Sequence, residues 1–370
     1  MGKAKVYFTD MRTKPFGMGL TGKLVHLMRK AGIEKLDLEG KFVAIKIHFG
    51  ELGNMAFLRP NYARAVVDEV KRLGGKPFLT DCNTLYVGGR KNALDHIETA
   101  YLNGFTPYTT GCHIIIADGL KGNDEVLVPV PNGKIVKAAK IGRALMDADV
   151  IISLNHFKGH EMAGFGGAIK NLGMGGGSRA GKMEQHCDSK PSVDASRCIG
   201  CKACSKACAH GAQDFSSGKC VINHDKCVGC GQCMPLCPKD AIEPSYVSKP
   251  GSLDVKMAEY AAAVVAGRPQ FHINLVMDVS PFCDCHPEND TPIVQDVGMF
   301  ASLDPVAIDQ ACADAVNRQP ALHDCVLDKR DKCHNDHFRD VSPNTNWELQ
   351  LDHAAKCGIG TREYDLITVK

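Results

Sequence analysis

Aromatic side chains are scarce in this 370-residue chain: they make up 6% of it, and Trp347 is the single tryptophan. Stacking platforms for nucleic-acid bases need aromatic faces, so that role is disfavoured. An excess of one charge is missing too. Lys and Arg number 44 against 42 Asp and Glu, a formal net charge of +2, whereas a nucleic-acid footprint needs a clustered basic surplus. No run of about eighteen apolar residues occurs, which argues against a membrane-spanning helix. The opening MGKAKVYFTD enters a strand-like run without the apolar stretch of a secretory leader. Val6 stands where a myristoylation signal carries a hydroxyl residue. The expectation is a cytoplasmic protein with reduced thiols, no membrane span and no nucleic-acid partner.

Cysteine, by contrast, is abundant, with 18 residues. Two copies of Cys-x-x-Cys-x-x-Cys-x-x-x-Cys account for eight of them: Cys198, Cys201, Cys204 and Cys208, then Cys227, Cys230, Cys233 and Cys237. This is the spacing of a bacterial two-cluster ferredoxin. Three thiolates at three-residue steps converge on one cubic iron–sulfur cluster, and the fourth of each run ligates the other cluster. The expected sets are Cys198, Cys201 and Cys204 with Cys237, and Cys227, Cys230 and Cys233 with Cys208. The repeat extends beyond the thiols, since Ile199-Gly200 matches Val228-Gly229 and Ala212 matches Ala241. Ala209 departs from Pro238 of the second copy without removing a ligand. Disulfides would require an oxidising compartment, and zinc would need only four ligands without interleaving. Two [4Fe–4S] clusters are therefore expected, and exposed clusters of this kind suit an anaerobe.

Outside the cassette the chain alternates strand and helix. Phe42–Phe49, Pro77–Asp81, His113–Asp118 and Val150–Asn155 read as strands, with a helical period over Asn61–Leu73 and a helix near Lys91–Asn103. VLVPV and KIVKAA suggest a hairpin over Asn132-Gly133, followed by a helix over Lys140–Asp147. After the cassette come a helix at Leu253–Gly267, a strand at Phe271–Asp278, strand-like VQDVGMFAS, and a helix capped by Asp304 with Pro305 in its first turn. Strands apolar on both faces between amphipathic helices predict a mainly parallel sheet with helices on both sides. The expected organisation is one α/β domain, residues 1–189 and 247–370, interrupted by a ferredoxin-like insertion at 190–246; separate flanking domains are the alternative.

The carboxyl ends of these strands collect chemistry. They deliver His48 and Glu51; Asp81; His156, Lys158 and His160; and then Cys283, Asp284 and Cys285. Ligands bind at that edge of open parallel sheets. Cys283 and Cys285 can reach one soft metal together or form a reactive thiol pair. His323, Cys325, Cys333, His334 and His337 match no zinc spacing and read as a polar loop. Eight glycines lie between Gly164 and Gly181. Such a run lets backbone N–H groups approach an anion, with Lys170 and Lys182 nearby. Gly176 to Lys182 fits the core of a phosphate loop, but Met183 replaces the metal-binding hydroxyl, so an ATPase reading is weak.

VAIKIHFGE, FLTDCNTLYVGGR, NHFKGHEMAGFGGAIKNLGMGGGSRAGK, the Cys283–Cys285 loop and LDPVAIDQA together resemble the iron–sulfur centre proteins of the domain of unknown function 362 family. The resemblance covers essentially the whole chain and implies the inserted module and its clusters, but no reaction. Its signature positions recur at Lys46, His48, Glu51, Asp81, Asn83, His156, Lys158, His160, Lys170, Asn171, Cys283 and Cys285, with Cys82 where a small hydroxyl is expected. The leading expectation is an iron–sulfur redox protein passing electrons to or from a second site at the sheet edge. In it, Cys283 and Cys285 form a thiol pair or hold a further metal, His48, His156 and His160 act as ligands or proton carriers, and Lys158 and Lys170 hold a small anionic substrate. One alternative is a pure electron carrier docking a redox partner protein. Another is a non-redox metal-dependent racemase or lyase with structural clusters.

Overall fold

The computed structural model describes residues 2–85, 88–186, 190–244, 251–329 and 335–370. Eight strands make the central sheet: β1 (Ala4–Asp10), β2 (Phe42–Lys46), β3 (Lys76–Asp81), β4 (Ile114–Ile116), β5 (Val150–His156), β6 (Gln270–Val276), β7 (Gly298–Ser302) and β8 (Tyr364–Thr368). Their order is β8-β1-β7-β6-β5-β2-β3-β4. Only β7 runs against its neighbours, pairing antiparallel with β6 and β1. The fold is thus mixed α/β with a mostly parallel sheet, as the apolar strands imply.

Alternation along the strands divides the core in two. Ala44 and Ile151 face one layer, with Leu172, Ala261, Val264, Ile308 and Leu351 of the helices Ala168–Gly176, Ser252–Val265, Pro305–Asn317 and Trp347–Lys356. Val43, Ile45, Val150 and Ile152 face the other, against Leu24, Leu27, Val66 and Val67 of the helices Leu20–Ala31 and Pro60–Arg72. β5 is buried at every position, as a strand covered on both faces must be. From β2 the chain steps outward to β3 and β4, then returns to the other side of β2 as β5. That reversal opens a crevice at the carboxyl ends of β2, β3, β5 and β6.

Local differences from expectation have identifiable causes. Ala138–Gly142, expected as hairpin then helix, is a strand paired with Glu125–Pro129, and helix begins only at Arg143. Ala139 and Ile141 alternate inward and are fully buried, so the period of two wins over helix propensity. The hairpin is real, but its pairing begins at Pro129 with Ala138, leaving a long loop around Asn132-Gly133. Asp304 caps the helix Pro305–Asn317 by accepting from the N–H groups of Val306 and Ala307. Among the described residues no helix is long and apolar enough to cross a membrane.

In the cysteine-rich segment, Ser192–Val193 pairs with Ile242–Glu243, so the excursion leaves and returns side by side. A second ribbon pairs Gln213–Asp214 with Val221–Ile222. Its small core joins Cys204, Ala212, Cys220, Ile222, Cys233, Met234 and Ile242 to Leu85 and Met183 of the α/β body.

Candidate functional site

The crevice is built from strand ends and two loops. Lys46, the last residue of β2, is buried and donates to Asp81 of β3 at 2.9 Å and to Asn171 Oδ1 at 2.7 Å. Asn171 in turn donates to Asn155 Oδ1 at 2.7 Å, tying the helix Ala168–Gly176 to β5. Burial disfavours the charged form of Asp81, but Lys46 and the neighbouring histidines outweigh it and hold the carboxyl below its ordinary range. Asn83 points away from the crevice centre and donates to Asp118 at 2.9 Å. Burial lifts Asp118 to about 6.

The histidines are distinguished by their partners. His156 meets Asp284 through Nδ1 at 2.9 Å and the Met277 carbonyl through Nε2 at 2.8 Å. Both nitrogens face oxygens, the geometry of an imidazolium–carboxylate pair. With both occupied, His156 offers no lone pair to a metal; its role is to fix Asp284. His160 Nδ1 accepts from the N–H groups of Met162 and Ala163 at 3.1 and 3.2 Å, so its proton sits on Nε2. Enclosure and then Lys170 keep His160 below its ordinary range, against the opposing pull of Cys283.

Cys283 is fully buried, and Lys170 Nζ donates to its sulfur at 3.1 Å. Neighbouring Cys285 first of all, then Lys170, Lys158 and His160, hold Cys283 well below the usual thiol range despite burial. Cys285 moves the opposite way, because a second thiolate beside the first is disfavoured. The Lys170 ammonium on the Cys283 sulfur thus favours the thiolate at Cys283 over Cys285. Glu161 accepts from the Cys283 N–H at 3.2 Å, and its Oε1 lies 3.3 Å from His286 Nε2 at the rim. Asp278 lies outside, paired with Arg59.

Arg90 lacks any strand-end or ligand-like signal in the sequence, yet it is almost completely buried and lines the crevice. Its Nε donates to Glu51 Oε2 at 3.0 Å, and its Nη1 lies 2.9 Å from His48 Nε2. Glu51 also accepts from the Gly89 N–H at 2.8 Å, so it braces the arginine loop and does not face the open space. Lys158, Lys170, Lys182 and Arg90 line the crevice against the carboxylates Asp81 and Asp284, which leaves its wall cationic.

The glycine run has a different purpose from the one its composition suggests. A Cβ on Gly173 would meet the Met257 carbonyl at 2.1 Å, one on Gly176 the Val264 side chain at 2.8 Å, and one on Gly181 the Lys140 carbonyl at 2.5 Å. These glycines let the helices Ala168–Gly176 and Arg179–His186 pack closely against Ser252–Val265 and the 138–142 strand. Within the 176–182 stretch the backbone donors are already taken, with Ser178 N–H on the Lys140 carbonyl at 2.9 Å, Arg179 on Gly122 at 3.1 Å and Lys182 on Ser178 at 2.7 Å, and Asp309 accepts from Ala168 and Ile169 at 2.7 and 2.9 Å. Lys182 is likewise occupied, donating to the Gly177 carbonyl at 2.7 Å and the Gly175 carbonyl at 3.3 Å. A phosphate-loop reading is overturned by that packing.

In the cassette, Cys198, Cys201, Cys204 and Cys237 line one cavity. The fourth thiol of the second run thus stands with the first three of the other. Ala212 and Ala241, matching positions of the two copies, each donate their N–H to the fourth sulfur of their own run, Cys208 at 3.4 Å and Cys237 at 3.2 Å. Gly200 and Gly229 turn with φ of 67° and 72°, where a side chain would be strained. Among the described residues no three His, Cys, Asp or Glu side chains stand close enough to hold a single metal ion. Cys220 is a fifth thiol at this cavity, 3.7 Å from Cys204, and was not singled out by spacing. Of the polar loop, Cys325 is buried and His337 donates to the Gln319 carbonyl, whereas Cys333 and His334 lie outside the described residues.

One helix touches both places. A Cβ on Gly231, between Cys230 and Cys233, would lie 3.0 Å from Met183 and 3.3 Å from Arg179. Lys182, on the same helix, lines the crevice, and burial first, then His160 and Lys170, push His186 down to about 3.

The sequence model of a domain of unknown function (DUF362) matches residues 43–314. No curated protein matches the chain in sequence. Among solved structures it is similar to the lactate racemase apoprotein from Thermoanaerobacterium thermosaccharolyticum, at 12% identity and a TM-score of 0.38, over 74% of this chain and 51% of that one. It is also similar to a structural-genomics protein from Thermotoga maritima, at 12% identity and a TM-score of 0.42, over 84% of this chain and 60% of that one. The chain thus spans between half and two thirds of the length of either protein.

Proposed function

This chain belongs to the DUF362 family, and from that premise and the thiol pair of its crevice we propose an iron–sulfur redox protein that exchanges electrons between a two-cluster cassette, residues 190–246, and Cys283 with Cys285. The observation that carries the reading is the buried Cys283 sulfur with the Lys170 ammonium at 3.1 Å and the Cys285 thiol beside it. Ordinary buried cysteines are protonated and inert, whereas this one is surrounded by donors. Two [4Fe–4S] clusters, held by Cys198, Cys201, Cys204 and Cys237 and by Cys227, Cys230, Cys233 and Cys208, would supply electrons one at a time.

The crevice residues suit a two-electron thiol couple. In the oxidised form the two sulfurs are joined. Uptake of two electrons breaks the Sγ–Sγ bond, Cys285 takes a proton, and Cys283 is left as a thiolate against Lys170. Reoxidation by a small anionic substrate or a partner protein reverses each step and releases that proton. Lys158 and Lys170 favour the anion, while His156 keeps Asp284, the residue between the two cysteines, in one orientation. A further metal on Cys283 and Cys285 is disfavoured, since the Lys170 ammonium already donates to the Cys283 sulfur.

Anaerobic purification followed by iron determination and rapid-mixing spectroscopy tests the proposal. About eight irons per chain are expected, and reduced clusters should be reoxidised by the oxidised thiol pair. In a Cys283→Ser, Cys285→Ser variant that phase should slow at least about tenfold with iron unchanged. A folded, iron-free protein, or an unaltered phase in the double variant, rejects it.

A further inference from the structure

His48 and Arg90 confront each other in a way that no protonation state satisfies. The Gly50 N–H donates to His48 Nδ1 at 3.0 Å, which requires that nitrogen to be bare and the ring proton to sit on Nε2. Yet Nε2 lies 2.9 Å from Arg90 Nη1, and a guanidinium nitrogen can only donate. Moving the proton to Nδ1 would repair one contact and break the other, and a doubly protonated ring would break both. Arg90 is unsatisfied on its other branch too. Its Nη2 has no hydrogen-bond partner among the described residues, although the residue is only 1% exposed. Buried unpaired donors are costly, so a set of them opening onto one cavity marks the place of an absent acceptor.

We propose that Arg90 and His48 form the recognition end of the crevice and that the group bound there is the carboxylate of a small organic acid. This deepens the redox reading above and rests on its view of the crevice as a substrate site. A carboxylate presents two coplanar oxygens to the guanidinium edge, accepting from Nη1 and Nη2, and one of them can also accept the His48 Nε2 proton. The charge favours a monoanion. Glu51 is 3.0 Å from Arg90 Nε, and Asp81 is 4.0 Å from Nη1, so a doubly charged phosphate would face two carboxylates across one guanidinium. Cys285 lines the same crevice as Arg90 and His48. An acid held at Arg90 therefore extends its carbon chain toward the thiol pair.

Ligand-observed NMR on the cluster-loaded protein, kept anaerobic, decides the matter with acetate, acetamide and inorganic phosphate as probes. Acetate should bind, acetamide (the neutral isostere) and phosphate should not, and Arg90→Lys should weaken acetate at least about tenfold because lysine lacks the paired donors. Acetamide binding as well as acetate, phosphate binding more tightly, no acetate binding, or an affinity unchanged in Arg90→Lys overturns the assignment. The comparison of probes on unsubstituted protein holds even if Arg90→Lys fails to fold for want of its full brace on Glu51. Thiol-pair reduction is read on the same samples. Intact reduction without acetate binding removes the subsite alone, whereas lost reduction with acetate bound removes the redox reading alone.

Discussion

A lysine ammonium 3.1 Å from a fully buried cysteine sulfur sets the chemistry of Cys283. Desolvation alone would push this thiol up, as it does at Cys82 and Cys312, where burial dominates and both thiols rise. At Cys283 the Cys285 thiol, Lys170, Lys158 and His160 reverse the sign. The consequence is measurable by mass-mapped alkylation with iodoacetamide across pH. Cys283 should keep its reactivity well below the pH at which ordinary thiols lose theirs. Lys170→Met, similar in length but uncharged, should move the midpoint upward by at least about one pH unit. A midpoint that stays in place would mean that Lys170 does not stabilise the thiolate.

At the scale of elements, the crevice floor is held by buried groups whose titration couples folding to pH. His96, on the helix Ala93–Leu102, is fully enclosed, and neither of its nitrogens has a hydrogen-bond partner among the described residues. Burial lowers it to about 3, against the attraction of Asp81. An unfolded histidine titrates near 6.5, so this contribution to stability is present above about 6.5 and is lost as pH falls toward 3. Asp309 runs the other way. Burial raises it to about 6, so its contribution is present below the unfolded carboxylate range and fades as pH rises through 6. Comparing a variant with its parent isolates one group from the other. His96→Leu should flatten the acid limb of the stability curve by about 1.4 kcal/mol per pH unit between roughly 6 and 4, read from denaturant midpoints. An equally steep limb in the variant would show that His96 is not the group titrating. These elements also show what a sequence discloses. β5 could be read because Val150–Leu154 is apolar on both faces, and its end therefore pointed to His156. Arg90 could not, because it sits in a loop nine residues beyond β3 and acquires its role only through contact with His48 and Glu51. The glycine run misled for a related reason. Its partner, the helix Ser252–Val265, is distant in sequence, and only their close approach reveals that the missing side chains make room for packing.

For the whole molecule the decisive relation is between the two cysteine runs. A ferredoxin-like arrangement crosses them, and the cavity shared by Cys198, Cys201, Cys204 and Cys237 supports that crossing over two self-contained loops. The two arrangements differ in what a single substitution removes. If the runs cross, Cys237→Ser weakens the site of the first run and leaves Cys227, Cys230 and Cys233 with Cys208; if each run closes on itself, the second site is the one lost. Both cases lower the iron from about eight to about four per chain, so iron content alone does not separate them. Position does. The Cys230–Cys233 turn packs on Met183 and Arg179, next to the crevice, whereas the cavity of the first run has no lining residue from that helix. Under the crossed arrangement Cys237→Ser therefore spares the site nearer the thiol pair, and reduction of Cys283 and Cys285 should persist within about threefold of the parent rate. Cys208→Ser should suppress it at least about tenfold at the same iron content. Rapid-mixing traces of the two variants settle the order, and a reversed pattern, with Cys237→Ser the slower, would establish self-contained loops in place of the interleaved pair.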